Sequence, residues 1–479
     1  MALAKKLAKN FVIQLTGNIL GQAFFFLGLV HLARVLGPAG FGIWNFAQAW
    51  LLYLFRAGDL GLEIYGIREI SRVPTTTRQL LSEIVIIRFG LACILFGITM
   101  IASAVHLLPV ESARLVVLFS LAVLPMAFIV EWVFEAHQEL VLVSIARVVK
   151  GIIFALGVYI LVKSSAGIEL SVAAYNISLL LPIVVVFAIS VSRFGFSLSA
   201  GSFKDRIQIL RTAFPIGAAS ILSQISLFFG TMVIGYMLTK TDLGYFSAAH
   251  RIIVFLWAYV VSSSWRVLLP TLSRLHQSSL PDFERFVGRF FRIIALFAFP
   301  LGLVACIASG KIIPLLYSSE YEPGVVVFQV LTWSLVIGLM RAILEMALIA
   351  SNNQRQYFRG MLLLVICYIV LTPILTMQFG IGGTALASVV SEFVYFMYVV
   401  LYSRAVSASM VLRDFWKPAT AFLGSVILAV VFLRFPVSLR ILIGLTSYVM
   451  CLVALKAVSP DDVLLIRRIF SEKEAEAVS

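Results

Sequence analysis

Apolar runs of roughly twenty residues recur along the whole chain, with short polar segments between them. About twenty apolar residues in a helix cross the hydrocarbon core of a bilayer. A helix satisfies its own backbone hydrogen bonds in lipid, whereas a transmembrane β-barrel would show ten-residue segments of alternating polarity. The pattern therefore predicts an all-α membrane protein with about fourteen transmembrane helices. The predicted spans are residues 11–36, 39–59, 80–102, 114–135, 140–162, 168–192, 212–238, 243–269, 288–309, 324–350, 358–378, 381–403, 416–434 and 437–456.

The first apolar run, residues 11–36, is too long for the apolar region of a cleaved signal and lacks a small-residue cleavage site. We therefore expect it to be the first span. The composition agrees with a membrane protein, since 61% of residues are hydrophobic and 13% are charged. A soluble domain is roughly 45–50% apolar and about 25% charged.

Four cysteines lie far apart inside the apolar runs, without metal-binding or redox spacing. We interpret them as small core residues and expect neither a metal nor a cofactor. They are Cys93, Cys306, Cys367 and Cys451.

The net charge of +14 comes from 37 Lys and Arg against 23 Asp and Glu. Most of the basic residues lie at the two termini and in the even-numbered loops between the predicted spans. This positive-inside bias predicts a multi-pass protein of the inner (cytoplasmic) membrane with both termini in the cytoplasm. The basic loops suit anionic lipid headgroups, so we expect membrane lipids and no nucleic acid as partners.

The two halves of the chain resemble each other when shifted by 202 residues. NILGQAFFFLG (18–28) then aligns with SILSQISLFFG (220–230), and Gly42 meets Gly244. An even number of spans separates the halves, which indicates a parallel repeat around a central cavity, with alternating access by rocking lobes. The predicted organisation is an N-lobe of six helices (1–192), a cytoplasmic interfacial linker (193–211), a C-lobe of six helices (212–405), two further helices (406–458) and a cytoplasmic tail (459–479).

Several motifs make the chain recognisable: LARVLGPAGFGIWNFAQ (32–48), LGYFSAAHRI (243–252), ASNNQRQYFRG (350–360) and FGIGGTALASVVSE (379–392). Together they resemble the Wzx-type polysaccharide transporters of the multidrug/oligosaccharidyl-lipid/polysaccharide exporter superfamily. The resemblance implies two pseudo-symmetric lobes and a cavity that passes undecaprenyl-diphosphate-linked oligosaccharides outward, for example O-antigen repeat units of lipopolysaccharide. It also implies cooperation with other polysaccharide-assembly proteins.

Charged residues inside the predicted spans are functional candidates by default, since each costs about 2.5–3.5 kcal/mol at a helix centre on insertion scales. Seven occupy the cytoplasmic half of the first lobe. They could form a salt-bridge network that holds the inner mouth together, or a cationic pocket that receives the diphosphate. They are Arg56, Arg88, Arg147 and Lys150 with Asp59, Glu131 and Glu135.

In the second lobe, Arg251 follows His250 and has no acidic neighbour within its helix turn. It is the strongest single candidate for a diphosphate or sugar contact, because a guanidinium binds phosphate bidentately. Arg341 and Glu345, four residues apart, are expected to pair, and Glu392 lies near the middle of another span.

His31 and Arg34 would join the same cavity if the first span lines it. Trp44 and Trp257 could stack on sugar rings, although packing is the commoner role of such residues. A proton or sodium gradient would require membrane carboxylates, for which the candidates are Asp59, Glu131, Glu345 and Glu392.

Three alternatives remain open. A cation-coupled multidrug exporter resembles a pattern with an acidic residue deep in the first helix, where this chain has none. A peptidoglycan lipid-precursor flippase would carry a serine-arginine-rich first helix, which is missing here. A membrane enzyme would need a large external loop with catalytic residues, whereas loops such as 103–113 and 310–323 are short, so we expect no enzyme.

Overall fold

A computed structural model describes the backbone of residues 2–197, 202–402, 407–432 and 434–457, with side chains described there except in 2–12 and 258–267 and at 270 and 408. The predicted tail, 459–479, and residues 198–201 of the predicted linker lie outside the described residues. The described part forms α-helices and three short 3-10 turns without a β-strand, which confirms the all-α class. The helices are α1 (Ala2–Asp59), α2 (Leu62–Arg72), α3 (Thr77–Ala104), α4 (Val110–Ser120), α5 (Val123–Met126), α6 (Glu131–Ala136), α7 (Leu140–Leu161), α8 (Ile168–Phe194), α9 (Phe203–Met237), α10 (Lys240–Ser278), α11 (Leu280–Leu316), α12 (Gly324–Ala350), α13 (Gln354–Tyr402), α14 (Ala408–Val431) and α15 (Val437–Ala454).

The predicted spans account for the long helices. Within the described residues, 10 helices are long and apolar enough to cross a membrane. Two of these, Ile13–Asp59 and Gln354–Tyr402, hold two predicted spans each. The two remaining spans correspond to α10 and to the interrupted segment α4–α6, so within the described residues each predicted span falls mainly on helical structure.

The first two spans follow each other with a kink in place of a loop. Gly37 has φ 66° and ψ 176°, and Pro38 follows it. A positive φ favours glycine because it has no Cβ, and proline cannot donate the hydrogen bond that would continue the helix. Gly380, with φ 58°, produces the corresponding break inside α13.

The fourth span corrects the sequence prediction. We expected one helix over 114–135, and the structure has three short helices, α4, α5 and α6. Pro125 explains the break, because a proline ring clashes with the carbonyl four residues earlier, here Leu121, where α4 ends.

The chain divides into two compact units, which do not coincide with the predicted lobes. The first comprises Met1–Ala248 with Leu316–Tyr321, and the second Ala249–Leu315 with Glu322–Ser479. Helix α9 begins at Phe203, inside the range predicted as linker, and belongs to the first unit. The lobe boundaries therefore stay a prediction.

Packing in the first unit centres on aromatic residues and on close glycine contacts. Trp44 is fully buried, with ring centroids 5.4 Å from Phe119 and 6.1 Å from Tyr175. The repeat-matched glycines, Gly42 and Gly244, lie at one helix contact. A Cβ on either would overlap the backbone of the opposing segment, so only glycine permits this approach.

Candidate functional site

Arg88 lies in a buried ion pair at the interrupted span. Its side chain is 3% exposed, and one guanidinium nitrogen contacts Asp59 Oδ1. Arg88 Nη1 donates to the carbonyl of Ile129, 2.7 Å away, in the break between α5 and α6. Asp59 in turn accepts hydrogen bonds from the backbone N–H groups of Gly61 and Glu63, each 3.2 Å away. Arg88 therefore joins α1, α3 and the break, and it satisfies a carbonyl that the helix leaves unpaired.

Arg147 on α7 forms the centre of a second cluster. Its Nε and Nη2 donate to Glu131 at 3.1 Å and Glu135 at 2.7 Å, so the two carboxylates share one face of α6, as their spacing predicted. Arg147 Nη1 donates to Asn18 Oδ1 on α1, 2.8 Å away. These contacts tie three helices of the first unit together, which agrees with the salt-bridge interpretation for this residue.

Lys150 and Arg56 differ from these two arginines. Neither side chain makes an ion pair or hydrogen bond with another described residue, although Lys150 is half-buried and Arg56 is exposed. Lys150 lies one helix turn beyond Arg147, close enough for the Glu131 charge to act on it. Of the four basic residues in this group, Lys150 and Arg56 are therefore the two that make no direct contact with a described carboxylate.

His31 and Arg34 occupy the outer part of the first span. Arg34 is exposed, and its Nε donates to the carbonyl of Leu316, 2.7 Å away. His31 packs beside Tyr159, with ring centroids 5.1 Å apart, and its buried Nε2 has no hydrogen-bond partner among the described residues.

In the second unit, Arg341 lies between two carboxylates. Its Nη1 contacts Glu345 Oε1, and its Nε donates to Glu392 Oε2, 2.9 Å away. The guanidinium also lies 4.5 Å from the ring centre of Tyr395 and 6.0 Å from that of Trp257. The predicted Arg341–Glu345 pair is therefore present, and Trp257 packs on the arginine.

Arg251 and His250 lie on α10. Arg251 is 9% exposed and His250 is half-buried. The ion-pair partner of both Glu345 and Glu392 in the described part of the second unit is Arg341. The structure thus brings Arg341, Glu345 and Glu392 together on two helices.

The sequence interpretation missed two ion pairs in which a half-buried arginine contacts a buried carboxylate. Glu83, with a side chain 1% exposed, accepts a hydrogen bond from Arg206 Nε at 2.6 Å. Arg292 lies 3.5 Å from Asp414 in the second unit. Glu83 and Arg292 both fall inside predicted spans, so a full inventory of charges within spans would have found them.

Comparisons with known proteins identify similar sequences among polysaccharide-related membrane proteins. A family model described as "Polysaccharide biosynthesis protein" matches residues 7–276, more than half of the chain. The chain is 24% identical to the "Probable low-salt glycan biosynthesis flippase Agl15" of Haloferax volcanii over 400 residues, 82% of this chain and 81% of that protein.

Two solved structures show a similar fold. Lipid II flippase MurJ, in an inward closed conformation, matches with a TM-score of 0.73 and 15% identity over 92% of this chain and 97% of that one. A multidrug resistance MATE family transporter of the MOP superfamily, in an inward-facing conformation, matches with a TM-score of 0.63 and 13% identity over 81% of this chain and 97% of that one.

Proposed function

The chain belongs to the polysaccharide biosynthesis protein family, and we propose that it flips undecaprenyl-diphosphate-linked oligosaccharide from the cytoplasmic to the outer face of the inner membrane. Membership confirms the resemblance drawn from the sequence motifs. The name of the Haloferax volcanii relative, a glycan biosynthesis flippase, supports the proposal. In this mechanism no covalent bond changes, so the protein acts as a transporter.

The observation that carries the proposal is that Lys150 and Arg56 make no ion pair or hydrogen bond with another described side chain, although the Glu131 charge acts on Lys150 at longer range. A half-buried ammonium that no carboxylate contacts directly keeps unused hydrogen-bond donors, and an anionic ligand can accept from them. Arg88 and Arg147 are already neutralised by carboxylates, so we assign them to positioning the helices. Arg251 stays a further candidate for the sugar chain or the diphosphate.

The transport step follows from solvation. The diphosphate and the sugars cannot enter hydrocarbon, while the polyprenyl chain can remain in it. Cations in the first unit would attract the diphosphate from the cytoplasmic leaflet. Alternating access would then expose the headgroup to the outer face, where modest affinity permits release.

The experiment is a flipping assay in proteoliposomes with lipid-linked oligosaccharide, using the variants Lys150→Met and Arg56→Gln singly and together. A charge-assisted hydrogen bond contributes about 1.5–3 kcal/mol, so each variant should lower the flipping rate by about 10- to 100-fold. Arg114→Gln is the matched control, because it removes one positive charge at an exposed pair with Glu169. Wild-type rates in the double variant would refute the assignment.

The same assay separates the alternative functions. A peptidoglycan precursor lipid and a cationic drug replace the oligosaccharide lipid in parallel reactions. If wild-type protein moves either of these and not the oligosaccharide lipid, the proposed function is wrong.

A further inference from the structure

The Arg341 cluster holds more negative than positive charge. Its three side chains are 6%, 8% and 20% exposed for Arg341, Glu345 and Glu392. One guanidinium is the ion-pair partner of both carboxylates in the described part of the chain. With all three groups ionised, the triad carries one excess negative charge in a region of low dielectric constant.

The Arg147 cluster shows how such an excess can be balanced. It also has two carboxylates, Glu131 and Glu135, on one arginine, but Lys150 lies one helix turn away and its ammonium interacts with Glu131. Two acidic and two basic groups sum to zero there.

Among the described side chains, no second cation forms an ion pair with Glu345 or Glu392. The residues one turn from Arg341 along α12, Gly338 and Leu344, are uncharged. Among the side chains that the structure describes, Tyr395 and Tyr357 on α13 are further titratable groups that face the triad, and Trp257 packs over Arg341 from α10. None of these supplies a positive charge.

We propose that Glu345 and Glu392 together bind one proton, which is taken up and released during the transport cycle. A buried excess charge is removed most cheaply by protonation, because a proton needs no coordination shell. Both carboxylates contact the same guanidinium, so the proton belongs to the pair. Glu392 is the more exposed of the two and is the point of exchange.

The four carboxylates that the sequence suggested for ion coupling differ in their ion-pair partners. Asp59 forms an ion pair with Arg88, and Glu131 belongs to the Arg147 cluster, in which acidic and basic groups are equal in number. Of these four carboxylates, Glu345 and Glu392 are the two that share one arginine as their ion-pair partner in the described part of the chain. Proton binding by this pair stands on the cluster alone, and its use to drive flipping rests on the proposed function.

Infrared difference spectroscopy of the purified protein, recorded against pH, tests the binding step without any substrate. Wild type should show a protonated carboxyl band that disappears on alkaline titration. Glu345→Gln and Glu392→Gln should each abolish it, since one remaining carboxylate pairs with Arg341 and stays ionised. Glu131→Gln should retain it, as a control for loss of a carboxylate from a balanced cluster.

Absence of the band in wild type, or its persistence in either glutamine variant, would overturn the shared proton. A band displaced by Na⁺ at constant pH would also overturn it, in favour of a metal cation. In the flipping assay, a pH gradient should accelerate wild type, and Glu392→Gln should lose that acceleration. Retained acceleration would refute the coupling, whereas no flipping by wild type would refute the proposed function instead.

Discussion

Replacement of Arg88 by Met should destabilise the protein severely, because Arg88 compensates a buried charge and caps a broken helix. The methionine side chain has a similar length and no charge. It would leave Asp59 with only the backbone N–H donors of Gly61 and Glu63, and the carbonyl of Ile129 without its donor.

The expected loss of unfolding free energy comes from the two groups that Arg88 contacts, the Asp59 carboxylate and the Ile129 carbonyl. Removal of one partner of a buried ion pair costs about 3–5 kcal/mol, because the other charge stays buried and uncompensated. An unsatisfied buried carbonyl accounts for about 1–3 kcal/mol when considered by itself. Since these effects overlap at one site, we expect a loss of about 3–5 kcal/mol for Arg88→Met.

A double-mutant cycle isolates the charge effect. Asp59→Asn combined with Arg88→Met removes both charges, and paired deletions of this kind are much milder than single ones. The assay is equilibrium unfolding in mixed detergent micelles, with the free energy of unfolding measured for all four proteins. A cost below about 1 kcal/mol for Arg88→Met, or costs that simply add in the double variant, would refute the buried-pair interpretation.

Two further predictions concern packing and pH. Gly244→Ala should lower the free energy of unfolding by about 1–3 kcal/mol, because the new Cβ overlaps the Pro38 backbone. The control is Gly97→Ala, which should be neutral or slightly stabilising because no atom lies within 4 Å of the added Cβ. Equal effects of the two substitutions in thermal unfolding would contradict the close contact at Gly244. Burial raises the pKa of the Glu63 carboxyl above its ordinary value of 4.5, and Arg88 opposes this only in part. A raised carboxyl pKa favours the folded state at low pH and loses that contribution as pH rises through the folded value, so Glu63→Gln should stabilise the protein at pH 7 and have little effect below pH 4.5. A stabilisation that does not change with pH would argue against this role.

The helical architecture could be predicted because it depends on local sequence. A run of about twenty apolar residues must form a helix in lipid, whatever surrounds it, since the backbone has no other partner there. The prediction of one continuous helix for the fourth span was wrong for an equally local reason. Pro125 interrupts the helix, but the residues around it are apolar, so the segment still matched the pattern of a single span.

Candidate charges could also be named from sequence, but their pairing could not. Spacing alone predicted that Arg341 would contact Glu345, four residues away on the same helix. The contact of Arg147 with Asn18 joins residues 129 positions apart, and the contact of Arg341 with Glu392 joins residues 51 positions apart.

The sequence by itself determined that this chain is a helical membrane protein with costly charges in its spans. Only the tertiary structure decided which charges are neutralised, because helix packing sets the distance between side chains on different helices. Among the described residues, that distance leaves Lys150 and Arg56 without a direct ion pair, and it places Glu345 and Glu392 against the same arginine.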